Sequence, residues 1–118
     1  MSSVLKEGLR QTGRTTDALL SIDKFPAVFV VENHLQISYT YDLAQKHLKM
    51  EGYTRVGQIL HTAQGDIFLC TKEQLTDPYK FRGLGIKKIT IDHYANECPW
   101  TAQQREGLWD LKAQLRRG

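Results

Sequence analysis

No apolar run in this 118-residue chain approaches the roughly 20 residues a membrane helix needs. A membrane-spanning helix is therefore not expected. Residues Met1 to Arg10 carry no apolar stretch, so a secretory signal is not expected there either. Cysteine is scarce. Cys70 and Cys98 are too few for a disulfide scaffold and too far apart for a C-x-x-C site. Cys70 lies in an apolar run and reads as a small buried hydrophobe. A reducing, cytoplasmic setting is expected.

The four histidines (His34, His47, His61 and His93) show no H-E-x-x-H or other zinc spacing. There is no G-x-S-x-G elbow, and neither cysteine sits in a nucleophile setting, which argues against a metal-free hydrolase. Nor is there a large excess of one charge. A formal net charge of +3 permits nucleic-acid contact without arguing for it. Lys87-Lys88 and Arg116-Arg117 are the tight basic pairs.

What is present reads as one domain over residues 1–118, with short strands alternating with helices. Thr15 to Ile22 is expected to be a short helix, closed by Phe25-Pro26. Ala27-Val28-Phe29-Val30-Val31 is a continuous β-branched and apolar run, the pattern of a strand buried on both faces. Asn33 and Gln36 fit a capping box. Ile37, Tyr41, Ala44 and Leu48 then share one helical face, with Gly52 as the expected stop. Residues 53–60 fit either a strand or a turn-rich connection.

Gly65-Asp66 leads into the strand Ile67 to Cys70. Thr71 to Leu75 suggests a short helix, ended by Asp77-Pro78. Phe81 to Gly85 reads as a loop, and Ile86 to Ile91 as a third strand. Thr101 and Gln104 form another capping box, ahead of a C-terminal helix striped by Leu108, Leu111 and Leu115. The expected fold is α/β, a small three-layer domain with a short, mostly parallel sheet flanked by helices.

The segment Gly8-Leu9-Arg10-Gln11-Thr12-Gly13-Arg14-Thr15 approaches the phosphate-loop pattern G-x-x-x-x-G-K-[ST]. Glycines let backbone N–H groups turn inward around an anion, and a following helix aims its positive end at the same place. Gly8 and Gly13 are correctly spaced, Thr15 holds the hydroxyl position and Thr16 follows. Arg14 stands where lysine is expected; guanidinium also forks onto phosphate oxygens, but is bulkier and differently aimed. Ser2 to Glu7 offers only Val4 and Leu5 to a preceding strand. The alternative is a Gly/Thr-rich turn before a helix.

A phosphate-loop ATPase also needs a carboxylate at the end of a neighbouring strand to hold Mg²⁺. Ile89-Thr90-Ile91-Asp92 ends in that way, and ligands of open α/β sheets bind off the carboxyl ends of the strands. The alternative is that Asp92 begins a surface turn. His93 follows where many such ATPases carry the glutamate that activates water. Histidine serves as a base near neutral pH but with another reach, and it equally fits an exposed loop.

In the order of these segments the chain resembles the first half of an additional-strand P-loop ATPase core, as in helicases and phage terminase large subunits. It is similar in style to small P-loop proteins of tailed bacteriophages. Gly8 to Thr16 looks like the Walker A segment, and Ile89 to His93 like Walker B. Val30 to His34 resembles a strand end that often faces nucleic acid, and Phe68 to Leu75 a later strand-Thr-helix segment. Arg14, His93 and the thin first strand depart from the pattern.

The resemblance implies ATP and Mg²⁺ as cofactors. Gly8, Gly13, Arg14, Thr15 and Thr16 would contact nucleotide, Thr15 and Asp92 would hold the metal, and Asp92 and His93 would be the catalytic pair. It also implies nucleotide and nucleic-acid partners. Weak ATPase activity is one expectation, and a non-catalytic binding or assembly module that keeps the fold is the other. Self-association or a protein partner is expected from the unpaired edges of a small sheet, and no membrane contact.

Overall fold

A computed structural model describes residues 14–47, 50–54, 58–77, 80–81 and 83–117, with side chains omitted at 50–54 and 116–117. The Gly8 to Gly13 segment and the candidate strand Ser2 to Glu7 lie outside the described residues. The chain begins its described course in a helix over 14–20 (α1). There follow β1 (Ala27–Val31), α2 (His34–His47), β2 (Met50–Thr54), β3 (Ile59–Thr62) and β4 (Gly65–Thr71). A 3₁₀ turn (Glu73–Thr76), β5 (Lys88–Ile91), α3 (His93–Glu97) and α4 (Ala102–Arg117) complete it.

The strands form one sheet in the order β2-β3-β4-β1-β5. β1 pairs in parallel with β4 on one side and β5 on the other. β2, β3 and β4 form an antiparallel meander. The fold is thus α/β, with three parallel strands (β4-β1-β5) along one side of the sheet and an antiparallel ribbon along the other.

β1 is the axis of the core because all five of its side chains are apolar and fully buried. Alternate residues of a strand point to opposite faces, and β1 feeds both. Ala27, Phe29 and Val31 pack with Leu19 and Ile22, with Ile37, Leu43 and Ala44 of α2, and with Leu60, Ile67 and Leu69. Val28 and Val30 pack with Cys70, Leu75, Phe81 and Leu111 of α4 on the other face. Helices therefore cover both faces, giving three layers.

The caps form as the residue pattern implies. Asn33 Oδ1 accepts from the Gln36 N–H at 3.1 Å. Thr101 and Gln104 bond reciprocally, Gln104 N–H to Thr101 Oγ1 at 3.1 Å and Thr101 N–H to Gln104 Oε1 at 3.0 Å. Satisfying both orphan donors fixes the start of α4.

Several boundaries differ from the sequence reading: α1 covers 14–20 and stops short of Ile22, β4 begins at Gly65 and not Ile67, and the short helix after it covers Glu73–Thr76 and not Thr71 to Leu75. The helix expected to run to Gly52 ends at His47, and Gly52 lies within β2, where the β2–β3 register shifts between Met50 and Gly52. Glycine serves a bulge as readily as a helix stop. The third strand begins at Lys88, not Ile86.

Candidate functional site

The carboxyl ends of the three parallel strands gather the two charged side chains buried among the described residues, Lys72 and Asp92, with the partly exposed Glu32 beside them. Glu32 is the first residue past β1. Lys72 is the first past β4, and its N–H continues the ladder by donating to Val31 O at 3.1 Å. Asp92 is the first past β5, and its N–H donates to Val30 O at 2.9 Å. Parallel pairing to a shared central strand therefore brings three residues, 40 and 20 positions apart along the chain, to one rim.

Asp92 occupies the N-cap position of α3 but does not cap it with its side chain. Aspartate at that position usually accepts from the backbone of the first helical turn. Here the carboxylate is 2% exposed and accepts from the Thr15 hydroxyl at 2.8 Å. Thr15 itself is 2% exposed. Asp92 is thus no surface turn, and its carboxylate is committed to a hydroxyl 77 residues away. Among the described residues Thr15 is its hydrogen-bond donor, while an ionised carboxylate has about four lone-pair sites. That capacity, in a dry position, suits a cation.

His93 lies beside this pair. Its Nδ1 stands 3.5 Å from Asp92 Oδ1. Both ring nitrogens are buried without a directed hydrogen bond, as is Thr16 Oγ1. Arg14 is more than half exposed and reaches Glu97 of α3 at 3.4 Å. Exposed pairs of this kind contribute little to stability, and the contact chiefly sets where the guanidinium rests.

Lys72 is the residue that sequence reasoning passed over. Its side chain is 1% exposed. The ammonium sits 2.6 Å from Glu32 Oε2, donates to the carbonyls of Cys98 at 3.0 Å and Pro99 at 3.3 Å, and lies 4.5 Å from the centre of the Trp100 ring. A buried ammonium has three protons to place. The carboxylate and two carbonyls accept them, so Lys72 ties the ends of β1 and β4 to the segment between α3 and α4. Tyr94 joins the same cluster. Its hydroxyl titrates above the ordinary tyrosine value, first because of a hydrogen bond with the Cys98 side chain, and also through the charges of Cys98 and Glu32 and partial desolvation.

The signal for Glu32 and Lys72 was present. Each is a charged residue directly after a run that ends a buried strand, where α/β sheets place their ligand groups. Thr15 and Asp92 are in direct contact and His93 adjoins them. Arg14 is turned to Glu97, and Gly8 and Gly13 lie outside the described residues.

Thr15 and Asp92 offer one hydroxyl and one carboxylate. Both are hard oxygen donors, and Mg²⁺ typically takes one or two such protein ligands, filling its shell with water and phosphate oxygens. No cluster of three or more histidine, cysteine, aspartate or glutamate side chains suited to a metal forms among the described residues. Two cavities lined by described residues lie elsewhere. One of about 400 Å³ runs between the 3₁₀ turn and α4, and one of about 290 Å³ lies between α1 and the β3–β4 turn.

Comparison of the chain with protein-family models, with curated proteins and with solved structures gave no match. The fold and the rim define an α/β protein with a buried Thr–Asp pair at the carboxyl ends of its parallel strands. No helix among the described residues is long and apolar enough to cross a membrane.

Proposed function

We propose that this protein binds ATP with Mg²⁺ at the strand rim, as a P-loop-type nucleotide-binding protein acting in nucleic-acid transactions. The observation that supports this is the buried 2.8 Å contact between the Thr15 hydroxyl and Asp92. A hydroxyl directly after a glycine-containing segment, met by a carboxylate at a strand end, is the pair that phosphate-loop proteins use to share Mg²⁺. Gly8, Gly13 and the backbone between them would wrap the phosphates, Arg14 and Thr16 would contact them, and Thr15 and Asp92 would hold the metal. The buried, unsatisfied Thr16 hydroxyl and His93 ring are polar atoms that a polar ligand at this rim would satisfy.

The alternative reading is a binding or assembly module that keeps the fold without turnover. The Arg14–Glu97 contact favours it, because the guanidinium that would stabilise charge in phosphoryl transfer rests on an exposed carboxylate. The test is a thermal-shift titration with ATP, with and without Mg²⁺, paired with a phosphate-release assay. Stabilisation that needs Mg²⁺ supports the nucleotide site. Stabilisation with no phosphate release selects the non-catalytic form of it. No shift at millimolar ATP removes the nucleotide site and leaves the binding or assembly module.

A further inference from the structure

Helix α4 is divided lengthwise into three zones. At 100° per residue, Gln104, Gly107, Leu108, Leu111 and Leu115 fall together and face the second core cluster, where Leu111 is buried and Leu108 packs. Gln103, Glu106 and Asp110 form a polar, acidic strip along the neighbouring cavity. The third zone holds Arg105, Trp109 and Lys112, within an arc of about 60°. Arg105 and Lys112 are exposed and make no ion pair among the described residues, and Trp109 is 70% exposed.

A tryptophan that exposed is not held by the core. Here it stands between cationic positions at i−4 and i+3. With about 1.5 Å rise per residue, the stripe runs about 10 Å from position 105 to position 112. An aromatic face interleaved with cations along a line matches the chemistry of single-stranded nucleic acid, in which unpaired bases stack and phosphates follow at the side. A duplex keeps its bases stacked and offers an exposed indole no such partner. The adjoining Glu106 and Asp110 repel phosphate from the cavity side and so confine the strand to the stripe.

We propose that the Arg105–Trp109–Lys112 face of α4 binds single-stranded nucleic acid. This names a surface for the nucleic-acid part of the function proposed above. It is tested without nucleotide, so its failure and the failure of the ATP site are distinguishable.

The experiment is fluorescence anisotropy with a labelled oligothymidine, titrated with the full chain between about 50 and about 200 mM salt. Saturable binding is expected, with log K falling against log salt at a slope of about −1.4, from two phosphate contacts at about −0.7 each. Trp109→Ala should weaken binding about tenfold or more, and Arg105→Ala or Lys112→Ala should flatten the salt slope. Glu106→Gln should hold or strengthen binding. The proposal is overturned by absent binding at low salt, by unchanged affinity in Trp109→Ala, or by equal affinity for a duplex. Preferential binding to anionic phospholipid vesicles would also overturn it, assigning the face to a membrane surface. Trp109 is exposed, so its alanine variant should unfold at the wild-type midpoint, which separates lost binding from lost fold.

Discussion

Lys72 Nζ meets Glu32 Oε2 at 2.6 Å, each residue being the first beyond the end of its strand. The ammonium is almost wholly buried and the carboxylate a quarter exposed. Taking two charges out of water is costly, and removing one partner leaves the other uncompensated. Lys72→Met also strands the Cys98 and Pro99 carbonyls. The single variant should lose about 3 kcal/mol in urea denaturation, and Lys72→Met with Glu32→Leu should recover part of that loss. A single variant within about 0.5 kcal/mol of wild type would show that the pair does not tie the strands together.

Thr15→Val and Asp92→Asn should separate stability from ligand binding. Valine keeps the volume but removes the only described hydrogen-bond donor to a buried carboxylate, so the fold should lose about 1–3 kcal/mol. Asparagine keeps an acceptor for the Thr15 hydroxyl, so Asp92→Asn should unfold closer to wild type. Chemical denaturation of both variants without ligand checks the order. The reverse order would mean that the Thr15 hydroxyl does not satisfy Asp92.

Gly107 lies in the interior of α4, where alanine would ordinarily help the helix by about 1 kcal/mol. A Cβ there would stand 1.9 Å from the Leu75 carbonyl oxygen, which is backbone and not a flexible side-chain tip. Gly107→Ala should therefore destabilise, by about 1–3 kcal/mol or more, as α4 is pushed off the 3₁₀ turn. A rise in melting temperature would contradict this packing.

Burial pushes the Cys70 thiol up to about 12, against a weaker opposing pull from Lys80. The thiolate is the reactive form. At mildly alkaline pH, Cys70 of the native protein should therefore resist a thiol reagent and become reactive only in denaturant. The sign for stability follows. From its ordinary value of 9.0 up to about 12 the unfolded thiol ionises while the folded one does not, so Cys70 lowers stability as pH rises through that window. Cys70→Ala should remove that part of the slope in alkaline denaturation curves. Fast reaction of Cys70 in the native state would contradict the burial.

Much of the fold was legible because several segments obey one strong rule. β1 is apolar at every position and so belongs to both faces, and the Thr101/Gln104 pair announces the start of α4. The β2–β3 ribbon was not legible. Its strands are short and carry Glu51, Gly52 and His61, so neither apolar alternation nor propensity marks them, and pairing across the sheet decides the outcome. Gly52 read as a helix stop for the same reason. α3 was hidden because Asp92 looked like the end of a strand alone, whereas it also opens the helix that follows. At the rim, Thr15 and Asp92 were legible by residue type and position. The Lys72–Glu32 pair was not, because it depends on β4 lying next to β1, a neighbour relation made by a sheet order that local patterns do not state.

In the proposed nucleotide site, Thr15 and Asp92 together hold the metal of the bound nucleotide. The most direct measurement is isothermal titration of ATP into the wild-type chain and into Asp92→Asn, with and without Mg²⁺. Saturable binding is predicted in wild type that strengthens with Mg²⁺, with that Mg²⁺ dependence lost in Asp92→Asn while its fold remains intact. Equal Mg²⁺-dependent affinity in the two proteins, or no saturable binding to wild type at millimolar ATP, would contradict the account.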